Sequence, residues 1–185
     1  LVAMCYEAGI QVTSLPGAAA CITALTLSGL STRRFAFEAF LPSDKKERAV
    51  ILEELKQETR TIILYEAPHR LVKTLEELQE SLGDRKISLC RELTKKHETV
   101  FRGSLLKAVS WYKENPPKGE CVMVLAGRSR EEIEQEARQK WEDIPLEEHM
   151  EYYMRQGIDK KEAMKLVAKD RGISKRDVYQ ALLKN

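Results

Sequence analysis

The sequence has no long apolar run. Its longest stretch without a charged residue is Ala8–Thr32, broken by Pro16-Gly17 and diluted by Gln11, Thr13, Ser14, Thr23, Thr26 and Ser28. A membrane-spanning helix needs roughly 20 consecutive apolar residues, so no membrane span is expected. The stretch is no signal peptide either, because Glu7 and not a basic start precedes it. Cysteine is scarce. Cys5, Cys21, Cys90 and Cys121 form no C-x-x-C pair, and His69, His97 and His149 do not cluster, so no metal site is expected. Each cysteine lies in an apolar run, which points to buried reduced thiols and, by default, to the cytoplasm. There is no G-x-G-x-x-G, no Walker loop, no Ser-His-Asp signature, no internal repeat and no low-complexity segment. Charge of one sign is lacking as well. Lys and Arg number 31 against 29 Asp and Glu, a net +2, so any basic footprint for nucleic acid must be local.

What is present is an alternation of strand and helix signals over roughly the first 127 residues. Leu1–Ala8 reads as a helix end stopped by Gly9, and Ile10–Leu15 as a short strand. Ala18–Leu27 reads as a small-residue helix ending near Gly29. Phe35–Leu41 is an apolar, aromatic strand, and Ser43 or Asp44 caps a charged helix to about Glu58. Thr61–Tyr65 is a β-branched run, hence a buried strand. Pro68 suits the first turn of a helix to Ser81, stopped by Gly83. Strands follow at Ile87–Cys90, Glu98–Gly103 and Cys121–Ala126, with a helix from Ser104 to Glu114 between the last two. After Gly127 no Val/Ile-rich run occurs. Helices are expected over Ser129–Asp143, Pro145–Gln156, Asp159–Gly172 and from Ser174 onward. Their candidate core is Trp141, Leu146, Met150, Tyr153, Met154, Ile158, Met164, Val167, Ile173, Val178 and Leu182. The fold class is α/β with an all-helical C-terminal module.

Charge is unevenly placed. Arg128–Glu151 carries four basic and nine acidic residues, Tyr152–Asn185 nine basic and four acidic, and Arg85–Lys107 seven basic and two acidic. Such local footprints are what phosphate contacts require, and they are also what solvated helix faces look like.

In open α/β sheets ligands bind beyond the carboxyl ends of the strands, so the loops there are the informative residues. Ser14–Ala20 offers small side chains at a helix entrance, which lets a ligand approach the backbone or lets the helix pack tightly. Tyr65–Arg70 sets a polar, aromatic cluster after an apolar strand, in a turn stiffened by Pro68; it suits a binding site or a helix start. In Arg91–Glu98, His97 or Glu98 is a candidate general base and Lys95 a charge stabiliser, against an exposed salt-bridged loop.

These same loops carry a resemblance. Val12–Ala20 with Ala24-Leu25, then Ser28-Gly29-Leu30, Phe35 and Phe40-Leu41-Pro42, resemble the tetrapyrrole methylase superfamily. Tyr65–Arg70, Arg91–Lys95 with His97-Glu98, Gly103-Ser104 and Gly119-Glu120 resemble one branch of it. That branch methylates a cytidine ribose 2′-hydroxyl of small-subunit ribosomal RNA with S-adenosylmethionine. The resemblance implies a two-domain α/β enzyme, usually a homodimer, with the cofactor between domains. The second domain would have a mixed sheet. It divides the chain into 1–31, the end of a cofactor domain, 32–127, the second domain, and 128–185, the helical module. The family's opening strand, cofactor loop and Ser-Asp-Pro-Gly segment have no counterpart before Leu1, so a partial chain is expected.

By this match Pro16, Gly17, Ala19, Ala20, Phe40, Leu41, Tyr65, Glu66 and Ala67 would hold the cofactor, with Ala19 in place of a small polar residue. Glu66, His97 and Glu98 are the candidates for removing the hydroxyl proton. The RNA, or the small ribosomal subunit, would be held by Arg91, Lys95, Lys96 and Arg102, and by Lys160, Lys161, Lys175 and Arg176 within Lys160–Lys184 of the tail. Two rivals remain. One is carbon methylation of a corrin or porphyrin, against which the basic tail argues. The other is a non-enzymatic nucleic-acid-binding module, because the tail resembles a helix-turn-helix around Gly172-Ile173-Ser174.

Overall fold

The structure, a computed structural model, describes residues 1–183. It divides into two compact units, Leu1–Gly127 and a second beginning at Arg128.

The first unit opens with α1 (Val2–Glu7) and α2 (Ala20–Ser28). Then come β1 (Phe35–Phe40), α3 (Lys45–Gln57), β2 (Thr61–Glu66) and α4 (Leu71–Leu82). β3 (Lys86–Arg91), β4 (Thr99–Ser104), α5 (Leu105–Glu114) and β5 (Cys121–Leu125) complete it. The strands form one mixed sheet, ordered β1-β2-β5-β3-β4, in which only β1 and β2 are parallel neighbours. Alternation along the strands splits the core in two. Ile62, Leu64, Ile87, Leu89, Met123 and Leu125 face α3, α4 and α5, while Ile63, Cys90, Val122 and Val124 face α2 through Ala24 and Leu25. α4 presents Leu71, Leu75, Leu78 and Leu82 on one face, all buried. That spacing is the apolar stripe of a helix lying on a sheet.

Arginines close two helix ends, where backbone carbonyls lack intrahelical partners. Arg85 donates to Leu55 O at 3.2 Å and Lys56 O at 2.7 Å, at the end of α3. Arg102 donates from Nε to Leu27 O at 3.2 Å, at the end of α2. Asp44 caps α3 by accepting from Lys46 N and Glu47 N.

Several expectations change. Ile10–Leu15 is exposed and forms no strand, because among the described residues no strand pairs with it; Ile10 N instead donates to Cys5 O at 2.8 Å. Pro68 opens a turn closed by Arg70 N–H on Ala67 O, and the helix starts at Leu71. Cys90 and Cys121 are buried, but Cys5 and Cys21 only partly so; all four thiols are free. Burial pushes the Cys121 thiol up to about 11, which leaves it protonated and inert.

The second unit consists of α6 (Arg130–Glu142), α7 (Leu146–Met154), α8 (Lys160–Arg171) and α9 (Lys175–Leu183). Its apolar centre is Met150, Ala163, Val167, Ala168 and Val178, with Leu146, Tyr153, Ile158, Met164 and Leu182 packed around it. Met154 and Ile173, expected inside, are exposed. His149, not expected there, is fully buried and stacked on Trp141 with centroids 3.5 Å apart. Among the described residues no helix is long and apolar enough to cross a membrane.

Candidate functional site

Register decides what meets at the sheet's edge. Phe40 lies beside Tyr65, Glu66 beside Cys121, and Arg91 beside both Cys121 and Thr99. The loops after β1, β2 and β3 and the loop before β5 therefore gather at one end of the sheet. Residues far apart in sequence, Leu41–Asp44, Ala67–Arg70, Glu92–Glu98 and Pro116–Glu120, become neighbours there.

On the α2 side of this end stands an aromatic cluster. The Phe37 and Phe40 rings meet Tyr65 edge-on, with centroids at 5.1 and 5.7 Å. Three residues apart on a regular strand, Phe37 and Phe40 would point to opposite faces. A bulge between Phe37 and Ala39 inserts one residue, with Ala39 at φ 53°, so both rings share Tyr65's face. Phe37 is 47% exposed and Phe40 56% exposed. The Tyr65 hydroxyl accepts from Cys21 N at 3.1 Å, in the first turn of α2. Burial, together with the neighbouring Cys21 thiol, raises the phenol's pKa, while the bond from Cys21 N pulls the other way. The Pro16–Ala20 turn leading into α2 is exposed, and the space around Gly17 is open. Of the expected cofactor residues, Ala20, Phe40 and Tyr65 thus lie around the start of α2, with Pro16, Gly17 and Ala19 on the exposed chain leading to it.

Leu41, Glu66 and Ala67 belong to a different environment. The Leu41 side chain is buried on the opposite face among α3 and α4 residues, and its carbonyl accepts from Arg70 Nη2 at 3.3 Å. Glu66 is buried with both oxygens engaged. Oε2 accepts from Thr74 Oγ1 at 2.6 Å, and Oε1 accepts from Ala67 N at 2.9 Å and lies 3.5 Å from Arg70 Nε. Thr74 Oγ1 in turn accepts from Arg48 Nη2 at 2.8 Å, and Arg48 Nε pairs with Glu77 at 2.6 Å. Arg48 also donates to Pro42 O at 3.3 Å. A buried carboxylate so fully bonded holds loops together; a proton acceptor needs a lone pair facing substrate. Leu41 and Ala67 could offer a ligand only what their backbone bonds leave.

The Arg91–Glu98 loop is tied to the Pro116–Glu120 loop. Arg91 Nη1 donates to Lys118 O at 2.6 Å. Glu92 Oε1 accepts from Glu120 N and from Lys95 Nζ, both at 3.2 Å, and the Lys95 ammonium draws the Glu92 carboxyl below its ordinary pKa. Glu92 at φ 48° and Thr94 at φ 64° sit in the left-handed region, a strain that concentrates at functional loops. Glu98 Oε2 accepts from Thr94 N at 2.7 Å. His97 is exposed and lines a cavity of about 420 Å³ with Arg91, Glu92 and Gly119. Lys96 is exposed, and Lys95 is held between Glu92 and Glu120. Arg102, expected to face RNA, spends its guanidinium on the end of α2. The sequence offered no sign of this, because a helix-capping arginine and a phosphate-binding one look alike.

In the second unit Lys160 and Lys161 open α8, and Lys175 and Arg176 open α9. Lys160, Lys161 and Arg176 are exposed and Lys175 half-buried. Cations in a first turn oppose the helix macrodipole, so their placement does not serve helix stability. Lys184 lies outside the described residues.

The sequence profile of the tetrapyrrole (corrin/porphyrin) methylases matches residues 1–109. The chain belongs to the tetrapyrrole methylase family. Within that family it is 45% identical over 175 residues to ribosomal RNA small subunit methyltransferase I of Bacillus subtilis (strain 168), an alignment covering 95% of this chain and 60% of the relative. The proteins of that name from Synechocystis sp. and Escherichia coli O157:H7 are 44% and 38% identical; each alignment covers 99% of this chain, and 64% and 62% of the relatives. The chain thus spans about three-fifths of the length of these curated relatives. A cobalt precorrin-4 methyltransferase of cobalamin biosynthesis has a similar fold, with TM-score 0.50 and 14% identity over 68% of this chain and 56% of that one. The two share the α/β fold with its mixed sheet.

Among the residues that carry the site, Phe37, Arg48, Thr74 and Glu92 escaped sequence reasoning as individuals. Phe37 could have been found by asking which aromatic neighbours of Phe40 a bulge would align. Arg48 and Thr74 left no signal, since each reads as an ordinary helix position.

Proposed function

We propose that the chain serves in S-adenosylmethionine-dependent 2′-O-methylation of a cytidine in small-subunit ribosomal RNA, as a homodimer. The observation that carries this reading is its 45% identity, over 95% of its length, to a relative whose name states methylation of small-subunit ribosomal RNA. Two features of the chain support it. Polar loops converge at one end of the sheet, and cations open both α8 and α9.

S-Adenosylmethionine, when bound, supplies a methyl group on a sulfonium that a nucleophilic oxygen displaces. The residues present fit part of such a molecule. The exposed Pro16–Ala20 backbone with its open space at Gly17 accepts a close approach, and the Phe40–Tyr65 edge offers an apolar wall. Leu41 and Glu66 fit it only through the loops they hold. Of the three candidate bases, His97 is exposed and has no hydrogen-bond or ion-pair partner among the described residues, whereas Glu66 and Glu98 are engaged. His97 is therefore assigned the ribose hydroxyl proton. Lys95, Lys96, Lys160, Lys161, Lys175 and Arg176 are assigned to phosphates. Arg91 is assigned to the RNA side of its loop.

The test uses this chain and the intact gene product in parallel, each with labelled S-adenosylmethionine and unmodified small ribosomal subunits. The expected result is 2′-O-methylcytidine in the RNA digest from the intact product. Methylation of a porphyrin precursor instead, or RNA binding with no cofactor binding by the intact product, overturns the reading in favour of a ring-carbon methylase or a non-enzymatic binding module. Light scattering checks the dimer.

A further inference from the structure

At the β4 edge of the sheet, beside the Arg91–Glu98 loop, a cavity of about 620 Å³ is lined by Arg91, Thr99, Phe101, Trp111, Tyr112 and Asn115. We propose that it is a nucleobase subsite, taking one unpaired base of a single-stranded RNA segment against the Trp111 indole. The proposal rests on the reading above that the chain acts on RNA, and it adds how the strand is gripped next to the reacting end.

Three observations lead there. First, α5 buries Leu105, Ala108, Val109 and Tyr112, yet leaves Trp111 beside them 52% exposed. Much of a large aromatic surface is left in water although the helix does not need it there. Second, the cavity wall is rigid. Phe101 and Tyr112 meet edge-on at 5.8 Å, and the Arg91 guanidinium is fixed by its bond to Lys118 O at 2.6 Å. A guanidinium plane and an indole are the two side-chain surfaces on which unpaired bases stack. Third, polar groups stand at the rim for a base edge. Asn115 Nδ2 donates to Trp111 O at 3.0 Å, which leaves its amide oxygen to accept from an exocyclic amine, and Thr99 carries a hydroxyl. Lys96 and Lys118, both exposed on the adjoining loops, supply positive charge for the flanking phosphates. An apolar peptide would use the indole but not the rim amide or the surrounding cations.

The experiment measures binding of fluorescein-labelled hexacytidylate by anisotropy, with an abasic hexamer of the same backbone as comparison. Wild-type full chain, Trp111→Ala, Trp111→Phe and Asn115→Ala are each titrated at several salt concentrations. Trp111→Ala is expected to weaken hexacytidylate binding about tenfold, the effect of losing one stacked base, with an unchanged salt dependence. Trp111→Phe is expected to keep most of the affinity. The abasic hexamer is expected to bind wild type and Trp111→Ala alike, which also shows that the variant is folded. If Trp111→Ala does not fold, Asn115→Ala decides, and an unchanged hexacytidylate affinity in it overturns the subsite. Equal binding of hexacytidylate by wild type and Trp111→Ala, or equal binding of both hexamers by wild type, also overturns the subsite and leaves the RNA reading standing. Absence of any RNA binding by wild type overturns both.

Discussion

The Glu92 carboxylate occupies the space that a side chain at Gly119 would need. A Cβ built on Gly119 would collide with Glu92 Oε1, and Gly119 sits at φ 80°. Glycine here satisfies two demands together, a left-handed backbone and a close approach, and so lets Glu92 bond Glu120 N. Gly119→Ala is expected to cost about 1–3 kcal/mol through strain and displacement of Glu92. Urea unfolding measures the loss, and limited proteolysis of the Arg91–Glu98 loop shows whether it comes free. An alanine variant as stable and as protease-resistant as wild type refutes the coupling.

The Glu66–Thr74–Arg48 chain makes a second prediction. Thr74→Val keeps the shape but removes the hydroxyl that serves both Glu66 and Arg48. It leaves two buried charged groups each short of a partner, expected to destabilise the first unit by about 1–3 kcal/mol. Thr74→Ser, which retains the hydroxyl, should recover most of that in the same unfolding assay.

Tyr65→Phe removes the bond from Cys21 N while keeping the aromatic cluster with Phe37 and Phe40. The expected stability loss is about 1 kcal/mol. A larger effect is expected on S-adenosylmethionine binding by the intact product, because Tyr65 positions the start of α2. Calorimetric titration that finds the affinity unaltered would detach Tyr65 from the cofactor site.

His149 makes the second unit sensitive to acid. Burial, helped by the nearby Arg171, holds its pKa below the ordinary 6.5 although Asp170 pulls the other way. Arg171 Nε donates to Nδ1 at 3.2 Å, and Nε2 lies 3.4 Å from Asp170. The folded state therefore binds the proton less readily than the unfolded chain. Stability is full above the unfolded value of about 6.5 and is lost as pH falls from there through the depressed folded value. Trp141, stacked on His149, reports the change by its fluorescence. His149→Gln should flatten this pH dependence of the unfolding midpoint; a dependence that persists in the variant places its source elsewhere.

The proposed role of His97 predicts a kinetic signature. His97→Ala in the intact product should lower kcat by about a hundredfold, within the range for a general base, with a small change in KM. Loss in KM alone would make His97 an RNA contact instead.

Much of this molecule can be read directly from its residues. The alternation of strand and helix, the Asp44, Ser129 and Asp159 caps, the stops at Gly29 and Gly172, and the change to an all-helical unit after Gly127 are local matters. Period, capping chemistry and backbone freedom act within a few residues, so one chain without context suffices. The strand-end loops were also legible as the place to look, since parallel and mixed sheets gather them by rule.

What tertiary structure alone decided is how individual side chains are used. Glu66 ends β2 and Leu41 follows β1, and both turn away from the α2 face, Glu66 into a buried polar network and Leu41 into the apolar core among α3 and α4. Arg85 and Arg102 belong to a basic stretch in sequence, and in space they cap α3 and α2. The bulge at Ala39 turns Phe37 onto the face of Phe40, and Ile10–Leu15 stays unpaired despite its strand composition. For Leu41, Arg85 and Arg102 the deciding partner lies far away in the chain. Sequence pattern determined which elements form; register and packing determined which groups bond to one another and which remain exposed.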